Sequence, residues 1–419
     1  MGFGKLSGMQ PRTRQRADSA AREAAVLGFW RTVELFSPQT VSKLSHSGST
    51  DRPVITVGPG ESLPWERRYR PRTGKVWRHT VYLGVYRIAQ VYDVLREIFE
   101  PDEDSYDART DGVTALAAVQ VSQDGQVLWG TELLSSCAWA TGRARQAGRR
   151  AAGWLDGLGP AQQELTALMH SVTCPQPADG NPGGEHGEHE VGDAVGPPVT
   201  LDTLLRLRER VATMLGVADV LDCAEVRIKS VLVKAGSDPT GGSDFLNSFI
   251  AEDLARVAEQ AGAGNVGAAL HAYLSEETAP AIGRVDLDDP SSLAFVRDAV
   301  GPSRIPLGRW PAETQQPLAL SQQLAVSQIL DRLSPSAGLF AVNGPPGTGK
   351  TTMLRELLAA VVVQRACRLA ELSHPGQAFV GAPRLVKMAK ITWRVPRWSP
   401  QLTGFESSSP PPTTVPYRT

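Results

Sequence analysis

Four cysteines, Cys137, Cys174, Cys223 and Cys367, are scattered over 419 residues with no CxxC pair and no metal-ligand spacing. This excludes a disulfide framework or a zinc module, and reduced, mostly packed thiols of a cytoplasmic protein are expected. Charge of one sign is lacking as well: 43 basic side chains face 44 acidic ones. No global field therefore marks a binder of nucleic acid or membrane, and any such patch is local. No apolar run approaches the ~20 residues that cross a bilayer. The opening "MGFGKLSGMQ" has no apolar signal core, and Leu6 stands where a myristoylation signal wants Ser or Thr. A soluble chain without a membrane partner is expected.

Hydrophobic residues make up 41% and charged residues 21% of the chain, ordinary values that support sizeable cores. The length fits two or three domains at roughly 100–200 residues each. Residues 18–36, "DSAAREAAVLGFWRTVELF", carry helical periodicity. Asp18 or Ser19 would cap the start, Pro38 would stop it, and Leu27, Trp30, Val33 and Leu35 or Phe36 would form the buried stripe. "VTALAAVQVSQDGQVLWGTELL" holds two apolar runs around Asp124-Gly125, a pair that favours tight turns, so a β-hairpin is expected.

These patterns predict an α/β and α+β multidomain chain. Residues 1–173 would form an N-terminal α+β domain. Residues 174–200, rich in Pro, Gly and acids, would be a flexible linker. Residues 201–300, with "LDTLLRLRERVATMLGV" and "DFLNSFIAEDLARVAEQA", read as mainly helical. Residues 301–381 would begin a RecA-like domain. Residues 382–419, basic with a Pro/Ser-rich ending, read as largely disordered.

The sharpest motif is "GPPGTGKT", residues 344–351, which matches G-x-x-x-x-G-K-[ST]. Its glycines let successive backbone N–H groups point inward at phosphate oxygens. Lys350 supplies charge for the β- and γ-phosphates, and Thr351 offers Mg²⁺ a hydroxyl. The helix expected from Thr352 aims the positive end of its dipole at the same place. "LFAV", residues 339–342, is suited to a buried parallel strand before the loop. Gly344, Pro345, Pro346, Gly347, Thr348, Gly349, Lys350, Thr351 and Thr352 are thus the candidate ATP-binding residues, with Thr351 the candidate Mg²⁺ ligand. No residue is assigned a catalytic role.

The wording "GPPGTGKTT", preceded by "LALSQQLAVSQIL", resembles superfamily 1 DNA/RNA helicases, of the AAA_11 type in their N-terminal part. "FWRTVELFSPQ", "FLNSFIAEDL" and "PLGRWP" look like segments of large bacterial proteins with an N-terminal region ahead of such a core. The resemblance implies that Gln322 reads the adenine edge, with Gln323 the alternative, and that DNA or RNA is a partner. Such helicases also carry a strand ending in Asp-Glu, single-strand contact motifs and a second RecA-like domain with transition-state arginines. An arginine finger alone is worth about 10³–10⁵ in rate. None of these follows the loop, so a truncated or frame-shifted product is expected, with coherent sequence to about Gly381. An AAA-type ATPase would likewise need an apolar run ending in Asp-Glu.

Weaker signals each have a plain structural reading. "WERRYRPRTGKVWRHTVYLGVYR", residues 65–87, interleaves basic and aromatic side chains as single-strand binders do, or is a solvated hairpin with its aromatics turned inward. "EHGEHE" reads as an acidic loop rather than a metal site. His79, His170 and His271, like Trp30, Trp154 and Trp310, read as structural. Two functions stay open: an ATP-binding, helicase-related protein with weak or absent hydrolysis, or a non-catalytic interaction or nucleic-acid-binding module with a relic loop.

Overall fold

The computed structural model describes residues 11–45, 53–67, 74–99, 112–146, 153–173, 196–237, 246–248, 250–275, 285–310, 317–335, 337–388 and 391–405. The chain divides into two units, Met1–Asn265 and Val266–Thr419. In the first, chain order runs α1 (Pro11–Leu35), β1 (Val54–Val57), β2 (Lys75–Arg87), α2 (Ile88–Ile98), β3 (Val113–Ser122), β4 (Leu133–Leu134), α3 (Ser136–Arg145), α4 (Leu158–Thr173), α5 (Leu201–Leu215), β5 (Glu225–Lys234) and α6 (Ile250–Gly262).

The five strands form one antiparallel sheet in the order β1-β5-β2-β3-β4. β2 is its spine, pairing with β3 from Arg78 to Arg87 and with β5 from Lys75 to Val85. Both of its faces are covered. One carries Val81 and Leu83 against Val119, Ile228 and the helical residues Leu165, Leu204 and Val211. The other carries Tyr82 and Val85 against Val41, Ala115 and Leu246. Double burial accounts for the apolar stretches Val81–Leu83 of β2 and Ala115–Val119 of β3.

The turn at Asp124-Gly125 is present, with Gly125 at φ 85. Its return arm is shorter than the expected hairpin: only the Val121–Val127 bridge and Leu133–Leu134 pair with β3. Within the mainly helical stretch 201–300, residues 225–234, "EVRIKSVLVK", are strand β5, which pairs on both sides. The end of the expected linker is also ordered. Val199 is buried and its N–H donates to the Gly125 carbonyl at 2.8 Å. Helix α5 is bounded as its sequence predicts, by a Thr200 cap and a left-handed Gly216.

The stripe expected on α1 is half wrong. Ala20, Glu23, Leu27 and Leu35 are buried, whereas Trp30 and Val33 are exposed. The helix begins at Pro11, and Ser19 bonds Glu23 at 3.0 Å instead of capping. Periodicity alone fixes a stripe's spacing, not the side a partner takes. Cys137 and Cys223 are buried and Cys367 exposed, all unpaired, and burial pushes the Cys137 thiol up to about 12. Among the described residues no helix is long and apolar enough to cross a membrane.

The second unit holds α7 (Ala268–Leu274), α8 (Leu293–Ala299), α9 (Leu320–Leu333), α10 (Lys350–Ala370), β6 (Arg384–Met388) and β7 (Ile391–Val395). The expected strand at "LFAV" is absent: 337–345 carry no strand, and Leu339 and Val342 are exposed. A parallel strand is stable between neighbours with helices on both faces. The unit's one sheet among the described residues is the antiparallel pair β6-β7. That pair in turn corrects the disordered reading of 382–419 as far as residue 405. Trp398 anchors the segment, with the Arg365 guanidinium 4.9 Å above its ring and Phe379 at 4.8 Å. Residues 406–419, Cys174 and "EHGEHE" lie outside the described residues.

His79 is buried on β2 and hydrogen-bonded through Nδ1 to Ser230 Oγ at 2.8 Å. Burial lowers its pKa from 6.5 to about 4. Between those values the unfolded chain binds the proton and the folded chain does not, so stability falls as pH drops through that window. The loss reaches about 3 kcal/mol. Urea unfolding at pH 7 and pH 4.5 should show a smaller acid loss in His79→Gln than in the parent; an identical loss would contradict this assignment.

Candidate nucleotide-binding site

"GPPGTG" needs two backbone conformations that side chains resist, and it places glycines there: Gly347 has φ 84 and Gly349 φ 76. Gly349 is also the residue before α10, so it turns the chain directly into the helix. Within the loop, Thr348 Oγ1 donates to the Pro345 carbonyl at 2.8 Å, and its N–H reaches the same oxygen at 3.4 Å. The first backbone bond into α10 is Met353 N–H to Gly349 O at 3.1 Å. The N–H groups of Lys350, Thr351 and Thr352 therefore have no helical acceptor. Pro345 and Pro346 have no N–H to offer. The donors available to an anion thus run from Gly347 to Thr352, at the positive end of the helix dipole.

The Lys350 ammonium curls over the loop and donates to the carbonyls of Gly344 and Pro345, the latter at 2.8 Å. Thr351 and Thr352 are exposed at the helix start. No carboxylate is paired with Lys350 or Thr351 among the described residues. No cluster of three His, Cys, Asp or Glu able to hold a metal occurs among them either.

Gln322 is brought to the loop and Gln323 is not. The Gln322 Oε1 accepts from Ala319 N–H at 2.9 Å and its Nε2 donates to Thr348 O at 2.8 Å. The glutamine that the resemblance assigns to adenine thus ties the start of α9 to the loop. Gln323 contributes only its backbone N–H, bonded to Ala319 O. The two helices pack together, and Leu324 and Val326 on α9 and Met353 and Ala360 on α10 are buried.

Glu356 is a residue that sequence reasoning missed. Its carboxylate is 8% exposed and accepts from Arg309 Nε at 2.7 Å and from Trp310 N–H at 3.4 Å. A buried carboxylate needs such partners, and here they fasten Arg309 and Trp310 to α10. Gly308 allows the approach, since a Cβ there would lie 2.2 Å from the Ala359 carbonyl oxygen. The signal was present in the short Gly-Arg-Trp run, but its partner is about fifty residues away in sequence. Trp310, read as packing, is 42% exposed, and Arg355 lies 5.9 Å above its ring.

The basic-aromatic stretch 65–87 splits. Lys75–Arg87 is strand β2, and Trp65 donates its indole N–H to Val199 O at 2.9 Å. Arg68, Tyr69, Arg70 and Arg72 lie outside the described residues.

Gly349 is restrained twice, because a Cβ there would stand 2.3 Å from Gln322 Nε2 as well as at positive φ. Gly349→Ala should lower stability by about 1–2 kcal/mol through backbone strain alone and break the Gln322–Thr348 bond. Thermal unfolding of the two proteins checks this, and an unchanged midpoint would contradict it.

Comparison of the chain with protein-family models, curated proteins and solved structures finds no match.

Proposed function

We propose that the chain binds ATP with Mg²⁺ through residues 344–352 and is a helicase-related protein whose own hydrolysis is weak or absent. One observation carries the reading. Gly347 and Gly349 in left-handed conformations, the free N–H groups at the start of α10 and the Lys350 ammonium all converge on one loop. This arrangement fits a polyphosphate, for which backbone donors, a helix dipole and a point charge are the recurring recognition elements.

On this reading Gly347, Gly349 and Lys350 donate backbone N–H groups to phosphate oxygens. Lys350 Nζ exchanges two neutral carbonyl acceptors for charged oxygens, which form stronger hydrogen bonds. Thr351 lends its hydroxyl to Mg²⁺, which would neutralise charge on the bound phosphates. Gln322 leaves Thr348 and Ala319 to meet the adenine edge, as in the helicases the sequence resembles. The absence of any carboxylate paired with this group among the described residues supports binding over hydrolysis. A RecA-like domain, and DNA or RNA as partner, belong to the same proposal and rest on the resemblance.

Titration of a fluorescent ATP analogue with Mg²⁺ tests it on the full chain. Saturable binding is expected, weakened at least about tenfold by Lys350→Ala through loss of a charged hydrogen bond. Equal binding to both proteins, or none, would make the loop a relic and favour a non-catalytic interaction module.

A further inference from the structure

The first unit contains a second polar concavity, unrelated to the loop. On β2, Trp77 and His79 lie on the same face as Val81, one and two steps beyond the main core. Ser230 of β5 is the residue directly opposite His79. Together with Pro53, Arg67 and Gln123 they line a cavity of about 180 Å³. That is below the ~300–1,000 Å³ of sites for drug-sized ligands, so it suits a single ring system.

We propose that this cavity binds one nucleobase bearing a phosphate. Its wall is flat and aromatic: the Trp77 and His79 rings are within 12° of parallel with centroids 6.5 Å apart. Trp65 packs beside His79, its ring centroid 5.4 Å away. Its floor is polar and held in place, since His79 and Ser230 are 3% and 4% exposed and bonded to each other. A neutral imidazole and a hydroxyl so fixed offer both donors and acceptors to an edge of a heterocycle.

The Gln123 amide adds one of each and has no hydrogen-bond partner among the described residues. Arg67 stands exposed at the mouth, likewise without an acceptor among them. Among the described residues that line the cavity none is a carboxylate. A stacking wall, a two-way hydrogen-bonding floor and a guanidinium at the rim together match base plus phosphate. The same chemistry is presented by a free mononucleotide and by one unstacked residue of a single strand.

The experiment uses the full chain carrying Lys350→Ala, which separates this site from the loop. Thymidine and adenosine monophosphates are titrated by tryptophan quenching, and a fluorescent ten-residue oligothymidylate by anisotropy. At least one probe should bind saturably. Trp77→Ala should weaken it about tenfold or more, the equivalent of one lost base-aromatic stack, while Trp77→Phe restores most of it. Arg67→Glu, on the surface, should weaken thymidine monophosphate but leave thymidine unaffected. Equal affinity for mononucleotide and oligomer assigns the site to free nucleotides, and binding of the oligomer alone assigns it to strands. No saturable binding by any probe, or binding that Arg67→Glu and Trp77→Ala both leave unchanged, would overturn the proposal.

Discussion

An extended segment of chain carries an N–H and a C=O at nearly every residue, and each must find a partner or stay in water. Where partners exist decides much of this protein. β2 has a neighbour on each side along most of its thirteen residues, so it can be buried on both faces. β5 sits among helices in sequence, yet the vacant side of β2 gives it a full ladder. "LFAV" has the composition of a buried strand but pairs with no strand among the described residues, and its Leu339 and Val342 are exposed. At 384–395, by contrast, Arg384–Met388 and Ile391–Val395 find partners in each other as β6 and β7.

The loop solves the same requirement differently. Two left-handed glycines turn the chain into α10, whose first-turn N–H groups have no helical acceptor. Gly349 carries three demands at once: the positive φ, the start of the helix and the closeness of Gln322. Around this point Gln322 holds α9 to the loop, and Glu356 holds the Gly308–Trp310 segment to α10. Two helices and a short crossing segment thus brace the candidate site.

What could be read from the sequence was local. The glycine spacing of the loop, the Thr200 and Gly216 boundaries of α5 and the Asp124-Gly125 turn each depend on residues a few positions apart. What could not be read depended on distant partners. Trp30 and Leu27 share the periodicity of α1, and only the position of α6 leaves one exposed and buries the other. The Arg309–Glu356 pair joins residues 47 apart. The His79–Ser230 pair spans 151 positions and follows from the register of β2 on β5, which no local pattern announces.

ATP binding at the loop requires its free N–H groups to donate to phosphate. Amide hydrogen exchange of residues 347–352, with and without saturating Mg²⁺ and a slowly hydrolysed ATP analogue, measures this at the atoms concerned. Exchange slowed at Gly347, Gly349, Lys350 and Thr351 is the predicted result. Exchange at those amides unchanged by the nucleotide would contradict it.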